Sequence, residues 1–264
     1  MTQPLLHYTR HGHGPMVVLL HPVGLDGTFW RDLPQSLSDR YTVICVDLRG
    51  HGQSSPAPRP GTMAACVDDV AAVIRDAGKG QGQGQENQKA VVLGLSFGGM
   101  VAQNLAIQHP ELVSGLVVCG CGAMIPPAFK QAILARGSDA EQGGMQAITP
   151  ATLERWFTPA FMASPDVEKV RARLLADKPS DFAAAWEAIS EHQALDRLKQ
   201  VTVPALVIGG SLDLATSVEA IAVLADAFAD GRKVILEGAP HMMQIENQDV
   251  FTAAVRHFLD HMGS

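Results

Sequence analysis

Short apolar runs alternate with longer amphipathic stretches over the first part of the chain. Continuous apolar runs at Met16–Leu20, Thr42–Val46 and Ala90–Leu93 are typical of strands that are buried on both faces of a sheet. Between the last two runs, apolar residues recur with helical spacing from Gly61 to Ala77. This order of strand and helix predicts an α/β protein with a mostly parallel sheet.

The alternation stops after a further predicted strand at Val113–Cys119 and resumes at Ala205–Gly210. We therefore predict a sheet domain made of residues 1–123 and 201–264, with residues 124–200 inserted as a helical cap. Such a cap would exclude water from a site on the sheet and shape its pocket. Helical signals in the insert run over Phe129–Arg136, Thr152–Phe157, Val167–Ala176 and Phe182–His192.

The pentapeptide Gly94–Gly98 has the pattern G-x-S-x-G and directly follows an apolar run. A sharp turn between a strand and a helix would hold Ser96 in a strained backbone conformation at the edge of the sheet, with small neighbours on either side. The start of the following helix favours negative charge that develops there. We interpret Ser96 as a nucleophile; the alternative is a glycine-rich turn that contains a serine by chance.

Asp213 and His241 each lie just past a later predicted strand, and the ends of parallel strands gather at one edge of a sheet. An imidazole can take the proton of a serine hydroxyl, and a carboxylate orients that imidazole. The order Ser96, Asp213, His241 is that of a sheet-based hydrolase triad. Other acidic residues compete for the carboxylate role until geometry excludes them: Asp26, Asp47 and Asp69.

Two loops carry further candidates. The glycine-containing loop at His21–Trp30 can turn backbone amides into a cavity, and we expect the N–H groups of Val23 and Phe97 to form an oxyanion hole. Asp47 and His51 have catalytic residue types, but we interpret them as structural, with Asp47 and Arg49 bracing a turn.

Composition narrows the functional class. The 264 residues are 47% hydrophobic and 18% charged, and the net charge is −7 with no basic stripe, so nucleic acid and anionic membranes are not expected as partners. The first ten residues lack a signal-peptide pattern, and no apolar run approaches the roughly 18 residues of a membrane span. A cytoplasmic protein is expected.

The remaining sequence features are less informative. The four cysteines lack C-x-x-C spacing and are expected to be buried free thiols, and no metal site is expected. The polar stretch from Gly78 to Gln88 is a low-complexity loop of unassigned role.

Taken together, these motifs resemble the α/β-hydrolase superfamily, and within it the 3-oxoadipate enol-lactonases. The similarity to the latter rests on Gly94–Met100, Arg155–Thr158 and Asp213–Thr216. It implies the α/β-hydrolase fold and cleavage of a small carboxylated enol-lactone in aromatic catabolism. It also implies a triad of Ser96, Asp213 and His241, oxyanion donors at Val23 and Phe97, and a cap tryptophan at Trp156. The chain departs from the family at His21–Val23 and over Ile125–Thr149.

The leading hypothesis is hydrolysis of a small ester or lactone through an acyl-enzyme, without cofactor or metal. Arg155 and Trp156 are candidates for lining the pocket, with Arg155 facing a substrate carboxylate; plain cap packing is the alternative. Two other functions stay open on the same fold: hydrolysis of a carbon–carbon bond in a vinylogous diketone, and a non-catalytic small-molecule receptor. Homo-oligomerisation is also left open.

Overall fold

A seven-stranded sheet forms the centre of the computed structural model, which describes residues 6–79 and 89–262. The strand order is β1-β3-β2-β4-β5-β6-β7, and only the edge strand β1 runs antiparallel to its neighbour within the described chain. The strands are β1 (Tyr8–His11), β2 (Met16–Leu20), β3 (Thr42–Val46), β4 (Ala90–Leu95), β5 (Val113–Cys119), β6 (Ala205–Gly210) and β7 (Gly231–Leu236).

The interior strands are apolar because both of their faces are covered. Every residue of β2, β3, β4 and β6 is buried. Strand β4 lies in the middle of the sheet, between β2 and β5, so the residues that follow it are at the centre of the carboxyl edge. The mostly parallel sheet expected from the sequence is confirmed.

Six helices flank the sheet in the described ranges, and side-chain caps start two of them. Thr62 accepts a hydrogen bond from the Ala65 amide at the start of α2, and Ser217 does the same for Ala220 at the start of α8. The helices are α1 (Leu33–Leu37), α2 (Met63–Gly78), α3 (Phe97–Gln108), α8 (Val218–Ala227), α9 (Met243–Glu246) and α10 (Gln248–Asp260).

The segment between β5 and β6 contains helices, as the sequence predicted, and one isolated bridge between Met124 and Gln193. The two ends of this insert lie side by side, because the Ile125 amide donates to the His192 carbonyl (2.9 Å) and the Ala194 amide donates to the Ala123 carbonyl (2.9 Å). The division at residues 124 and 200 stays a prediction, and we use the word cap for that range. Its helices are α4 (Lys130–Gly143), α5 (Met145–Trp156), α6 (Pro165–Leu175) and α7 (Pro179–Ser190).

Helices α4 and α5 extend well beyond the predicted segments. Glycine disfavours a helix, yet Gly137 lies inside α4 because it packs against α7: a Cβ atom there would come within 2.9 Å of the Ala183 Cα atom. Pro150 lies inside α5 although proline removes a helical hydrogen bond. Packing therefore outweighs local propensity in this part of the cap.

Helix α3 starts in direct contact with the ends of two strands. A Cβ atom at Gly98 would lie 2.0 Å from the Leu20 carbonyl oxygen of β2, and one at Gly94 would lie 2.2 Å from the Gly98 carbonyl oxygen. Only glycine permits this approach. The contact fixes the position of the turn between β4 and α3.

In the described ranges, no helix combines the length and apolar character needed to cross a membrane. The polar low-complexity stretch lies outside the described residues over 80–88.

Replacing Gly98 by Ala should lower the free energy of unfolding by about 1–3 kcal/mol, since the added methyl group meets a backbone carbonyl that cannot rotate away. Urea unfolding curves would measure this loss. Gly122→Ala is the matched control, because its nearest neighbour would be 3.7 Å away. A gain of about 1 kcal/mol, as alanine usually gives inside a helix, would contradict the contact.

Candidate active site

The turn after β4 holds Ser96 in an unusual backbone conformation. Its φ is 54° and its ψ is −115°, and in the described chain only Arg31 shares a positive φ among residues other than glycine. Such a conformation costs about 1–3 kcal/mol and is retained where the surrounding structure enforces it. The Ser96 amide donates to the Cys119 carbonyl (2.8 Å), and the side chain does not cap α3. The hydroxyl is thus left for another role.

Asp213 and His241 meet at the same edge of the sheet. His241 Nδ1 donates to Asp213 Oδ2 at 2.9 Å, and the two side chains are 3% and 0% exposed. The other carboxylate oxygen accepts from the amides of Ala215 (2.7 Å) and Thr216 (3.0 Å). The carboxylate is therefore fixed by its own loop and orients the imidazole.

The end of β5 brings His241 to the Ser96 turn. A Cβ atom at Gly120 would lie 3.3 Å from both Cε1 and Nδ1 of His241 and 3.2 Å from the Leu95 side chain. Cys119, directly before Gly120, accepts the Ser96 amide. No hydrogen bond of ordinary length joins Ser96 to His241 in the described ranges, and such bonds often tighten only when substrate binds. Because Nδ1 is engaged with Asp213, Nε2 is the ring nitrogen that can take another partner.

Two buried amides flank this turn. Val23 and Phe97 are 2% and 1% exposed, and within the described ranges neither amide donates a hydrogen bond. A Cβ atom at Gly98 would lie 2.8 Å from the His21 carbonyl, so the first turn of α3 packs against the start of the Val23 loop. The arrangement can present two N–H donors to one oxyanion.

The histidine that begins this loop orders it from the sheet side. His21 Nδ1 donates to the Pro22 carbonyl (2.7 Å), and Nε2 accepts from the Leu48 amide (2.8 Å). These partners require the neutral imidazole, and burial lowers the pKa of His21 to about 4. His21 thus has a structural role in this chain, since it ties the start of the loop to the residues after β3.

The residues interpreted as structural have hydrogen-bond partners of their own, none of them Ser96, in the described ranges. Asp47 accepts from the amides of Gly27 (2.8 Å) and Gln53 (2.9 Å), and Arg49 pairs with Asp69 through two hydrogen bonds. His51 Nδ1 donates to the Arg49 carbonyl at 3.0 Å. Asp47 and Asp69 are therefore committed partners and do not compete for His241.

The cysteines do not offer a second nucleophile. All four are free, and Cys121 is the one beside the site, where its Sγ atom would lie 2.7 Å from a Cβ atom at Gly99. Burial, with Asp213 nearby, raises the pKa of the Cys121 thiol to about 12, so the thiol stays protonated at neutral pH. No group of three or more metal-binding side chains comes together in the described ranges.

Cap residues cover the histidine. The Trp156 and His241 rings are 6.4 Å apart, and the Trp156 carbonyl accepts from the Met242 amide (3.0 Å). The neighbouring Arg155 is exposed at the end of α5. The structure thus brings Trp156 to His241, and it leaves Arg155 exposed.

A model of the alpha/beta hydrolase family matches residues 17–254 of the chain. The chain belongs to the alpha/beta hydrolase family. It is 30% identical to 3-oxoadipate enol-lactonase 2 of Acinetobacter baylyi, covering 95% of this chain and 91% of the relative.

Solved structures of other alpha/beta hydrolases superpose closely. The enol-lactonase from Burkholderia xenovorans LB400 has a TM-score of 0.89 and 30% identity, covering 97% of this chain and 96% of the other. A thermophilic esterase from Thermogutta terrifontis, solved with malate bound, has a TM-score of 0.88 and 28% identity, covering 97% and 93%. The resemblance stated from the sequence is confirmed at the level of the family.

Sequence reasoning missed a second arginine in the cap of this hydrolase. The Arg136 guanidinium lies 4.8 Å from the centre of the Trp186 ring, and no acidic side chain pairs with it in the described ranges. Burial, together with the charge of Arg155, lowers the pKa of Arg136 to about 10. Arg136 and Arg155 are therefore close together in the cap, and neither pairs with an acidic side chain in residues 6–79 and 89–262.

Acid should destabilise the hydrolase between about pH 6.5 and pH 4. Burial lowers the pKa of His51 to about 3 and of His21 and His192 to about 4, whereas unfolded histidine has a pKa near 6.5. The unfolded chain therefore binds more protons in this window, and the stability present above pH 6.5 is lost as the pH falls.

The substitution His51→Asn tests how much His51 alone contributes to the pH dependence of stability. The slope of the unfolding free energy against pH, measured by urea unfolding from pH 4.5 to 7, should become shallower than in wild type. His13→Asn, at an exposed position, is the control. Equal slopes in wild type and His51→Asn would show that His51 is not buried in its neutral form.

Proposed function

We propose that the chain is a serine hydrolase that opens a small lactone or cleaves a small carboxylic ester through an acyl-enzyme on Ser96. The observation that carries this proposal is the buried hydrogen bond between His241 and Asp213, 2.9 Å long, at the sheet edge where Ser96 is held at a positive φ. A serine alone in a glycine turn would need neither partner. The family and the enol-lactonase and esterase relatives support the same class.

The reaction follows from the roles these groups can take. His241 Nε2 removes the proton of the Ser96 hydroxyl as its oxygen attacks the substrate carbonyl carbon. Asp213 keeps the Nδ1–H tautomer and stabilises the imidazolium. The oxygen of the tetrahedral intermediate carries the negative charge, which the amides of Val23 and Phe97 stabilise by about 3 kcal/mol each.

Collapse of the intermediate breaks the carbon–oxygen bond, and His241 gives its proton to the leaving oxygen. For a lactone this oxygen stays attached to the acyl chain, since ring opening leaves one molecule. Water then attacks the acyl-enzyme with His241 again acting as the base, which releases the carboxylic acid and restores Ser96. No step requires a cofactor.

The cap supports an acidic substrate. Arg136 is half-buried against Trp186 without a counterion, and Arg155 lies beside it. A desolvated cation is costly unless an anion pairs with it. We assign a substrate carboxylate to these arginines, with Trp156 as the apolar wall over His241. The relative solved with malate, a dicarboxylate, is consistent with this assignment.

The free cysteines support the cytoplasmic location expected from the sequence, since disulfides are rare there.

Ser96→Ala should abolish turnover of p-nitrophenyl acetate and of a γ-lactone, because no other nucleophile replaces the hydroxyl. Asp213→Asn should lower kcat by about 10⁴-fold, since an amide cannot favour the required tautomer. Steady-state kinetics would measure both, with thermal unfolding to confirm the fold.

Turnover by Ser96→Ala equal to wild type would contradict the mechanism. Tight binding of the substrate by wild type without any turnover would instead indicate a receptor. Cleavage of a coloured dienone acid alone would favour the carbon–carbon hydrolase.

Arg155→Ala and Arg136→Met should each raise KM for a carboxylated lactone by about 10- to 100-fold, because hydrogen bonds to charged groups are worth roughly 1.5–3 kcal/mol. KM for the neutral lactone should change little. Arg171→Ala is the control, since Arg171 pairs with Glu168 on the surface of α6. An equal loss on charged and neutral substrates would refute the carboxylate role.

A further inference from the structure

The last turn of α6 reaches from the cap to the loop that carries Val23. Arg173 Nε donates to Asp26 Oδ2 (2.6 Å), and Arg173 Nη1 donates to Asp177 Oδ1 (2.6 Å). The side chains of Arg173, Asp26 and Asp177 are 15%, 13% and 2% exposed. One guanidinium therefore joins a carboxylate of the sheet domain to a carboxylate of the cap, largely out of water.

Asp26 connects Arg173 to the turn that contains Val23. Its Oδ1 atom accepts from the amide (3.0 Å) and the hydroxyl (2.6 Å) of Thr28, while Oδ2 faces Arg173. Just before Asp26 in the chain, the Leu25 amide donates to the Pro22 carbonyl (3.3 Å), and this hydrogen bond closes a turn around Val23. Both oxygens of Asp26 are thus engaged, one inside the loop and one with the cap.

The cap packs closely against this turn at Gly24. Its φ is +80°, and a Cβ atom there would lie 2.5 Å from the Leu174 side chain and 3.7 Å from Asp177 Oδ2. Asp177 Oδ2 is buried and has no hydrogen-bond partner in the described ranges. Burial raises the pKa of Asp177 to about 7, and Arg173 opposes that rise. Two consecutive residues of α6 therefore contact this loop: Arg173 through its ion pair with Asp26, and Leu174 by packing against Gly24.

On the sheet side, His21 stabilises the same turn, because its two ring nitrogens bond to the Pro22 carbonyl and the Leu48 amide. The Val23 amide thus lies between a support from the sheet and a support from the cap. An oxyanion donor must be aimed to within a fraction of an ångström, because electrostatic stabilisation depends on preorganised geometry.

We propose that Arg173 is a positioning residue of the oxyanion hole: through Asp26 it fixes the turn that presents the Val23 amide, so the cap completes the catalytic machinery of the sheet domain. Arg173 touches no reacting atom in this role. The inference rests on the proposed function, since it requires an oxyanion at Val23.

The test compares Arg173→Met and Arg173→Lys with wild type on a neutral γ-lactone, so that the cap arginines for a carboxylate are not involved. Arg173→Met should lower kcat by roughly 10- to 100-fold with KM nearly unchanged, as expected for a small displacement of a catalytic donor. Affinity for butylboronic acid, which forms a tetrahedral adduct on serine, should fall by a similar factor. Arg173→Lys keeps the charge beside Asp26 and should recover part of both losses.

Asp26→Asn covers the case in which Arg173→Met does not fold. The amide keeps the oxygen that accepts from Thr28 and removes the charge that Arg173 binds, so kcat and boronate affinity should fall together here as well. Arg171→Met is the matched control on the same helix, because Arg171 pairs only with Glu168 of that helix in the described ranges. It should leave both quantities unchanged.

Unchanged kcat and boronate affinity in both Arg173→Met and Asp26→Asn would overturn the inference, as would a rise in KM alone or a lower melting temperature alone. Ser96→Ala separates this failure from failure of the proposed function. If Ser96→Ala loses turnover and boronate binding while the Arg173 variants keep them, only the positioning role is wrong. If Ser96→Ala keeps both, the function itself is wrong.

Discussion

The close approach of α3 to the ends of β2 and β4 is the constraint on which the site depends. Gly98 meets the Leu20 carbonyl, and Gly94 meets Gly98, at distances that no larger residue allows. Between these two glycines, Ser96 has a φ of 54°. This strained turn places a partly exposed serine at the start of α3, and the hydrophobic burial of the central strands stabilises the arrangement.

The cap and the sheet domain are in contact beside the proposed base, His241, and beside the proposed oxyanion donor, Val23. On one side, the Trp156 carbonyl accepts from the Met242 amide, next to His241. On the other, Arg173 binds Asp26 beside the Val23 turn. A cap attached at these points contacts the segments that carry the proposed base and the proposed oxyanion donor. If those roles hold, changes in the cap sequence will alter rate as well as specificity.

The sequence predicted those features that depend on local pattern. Apolar runs located the strands, and the rule that ligands gather at their carboxyl ends made Asp213 and His241 candidates. The competing acidic residues were set aside only by geometry, since the structure joins Asp213 to His241 by a hydrogen bond. The full extent of α4 was not predicted, since Gly137 is tolerated only through its contact with α7.

Residues that act through distant contacts could not be found from the sequence. Arg173 and Asp26 are separated by 147 positions, and nothing local marks them as partners. Arg136 likewise resembles any surface arginine of a helix until its position over Trp186 is known. A motif fixes residue types at a fixed spacing, whereas charge pairing across the cap depends on how four helices pack.

The most direct test of the account is to locate the covalent adduct formed with a p-nitrophenyl phosphonate, by intact-protein and peptide mass spectrometry. The account predicts one phosphonyl group per chain, on the peptide that contains Ser96, with labelling strongly slowed in His241→Ala. An adduct on any other residue, or equal labelling of Ser96 without the histidine, would contradict the claim that the strained serine is a nucleophile activated by His241.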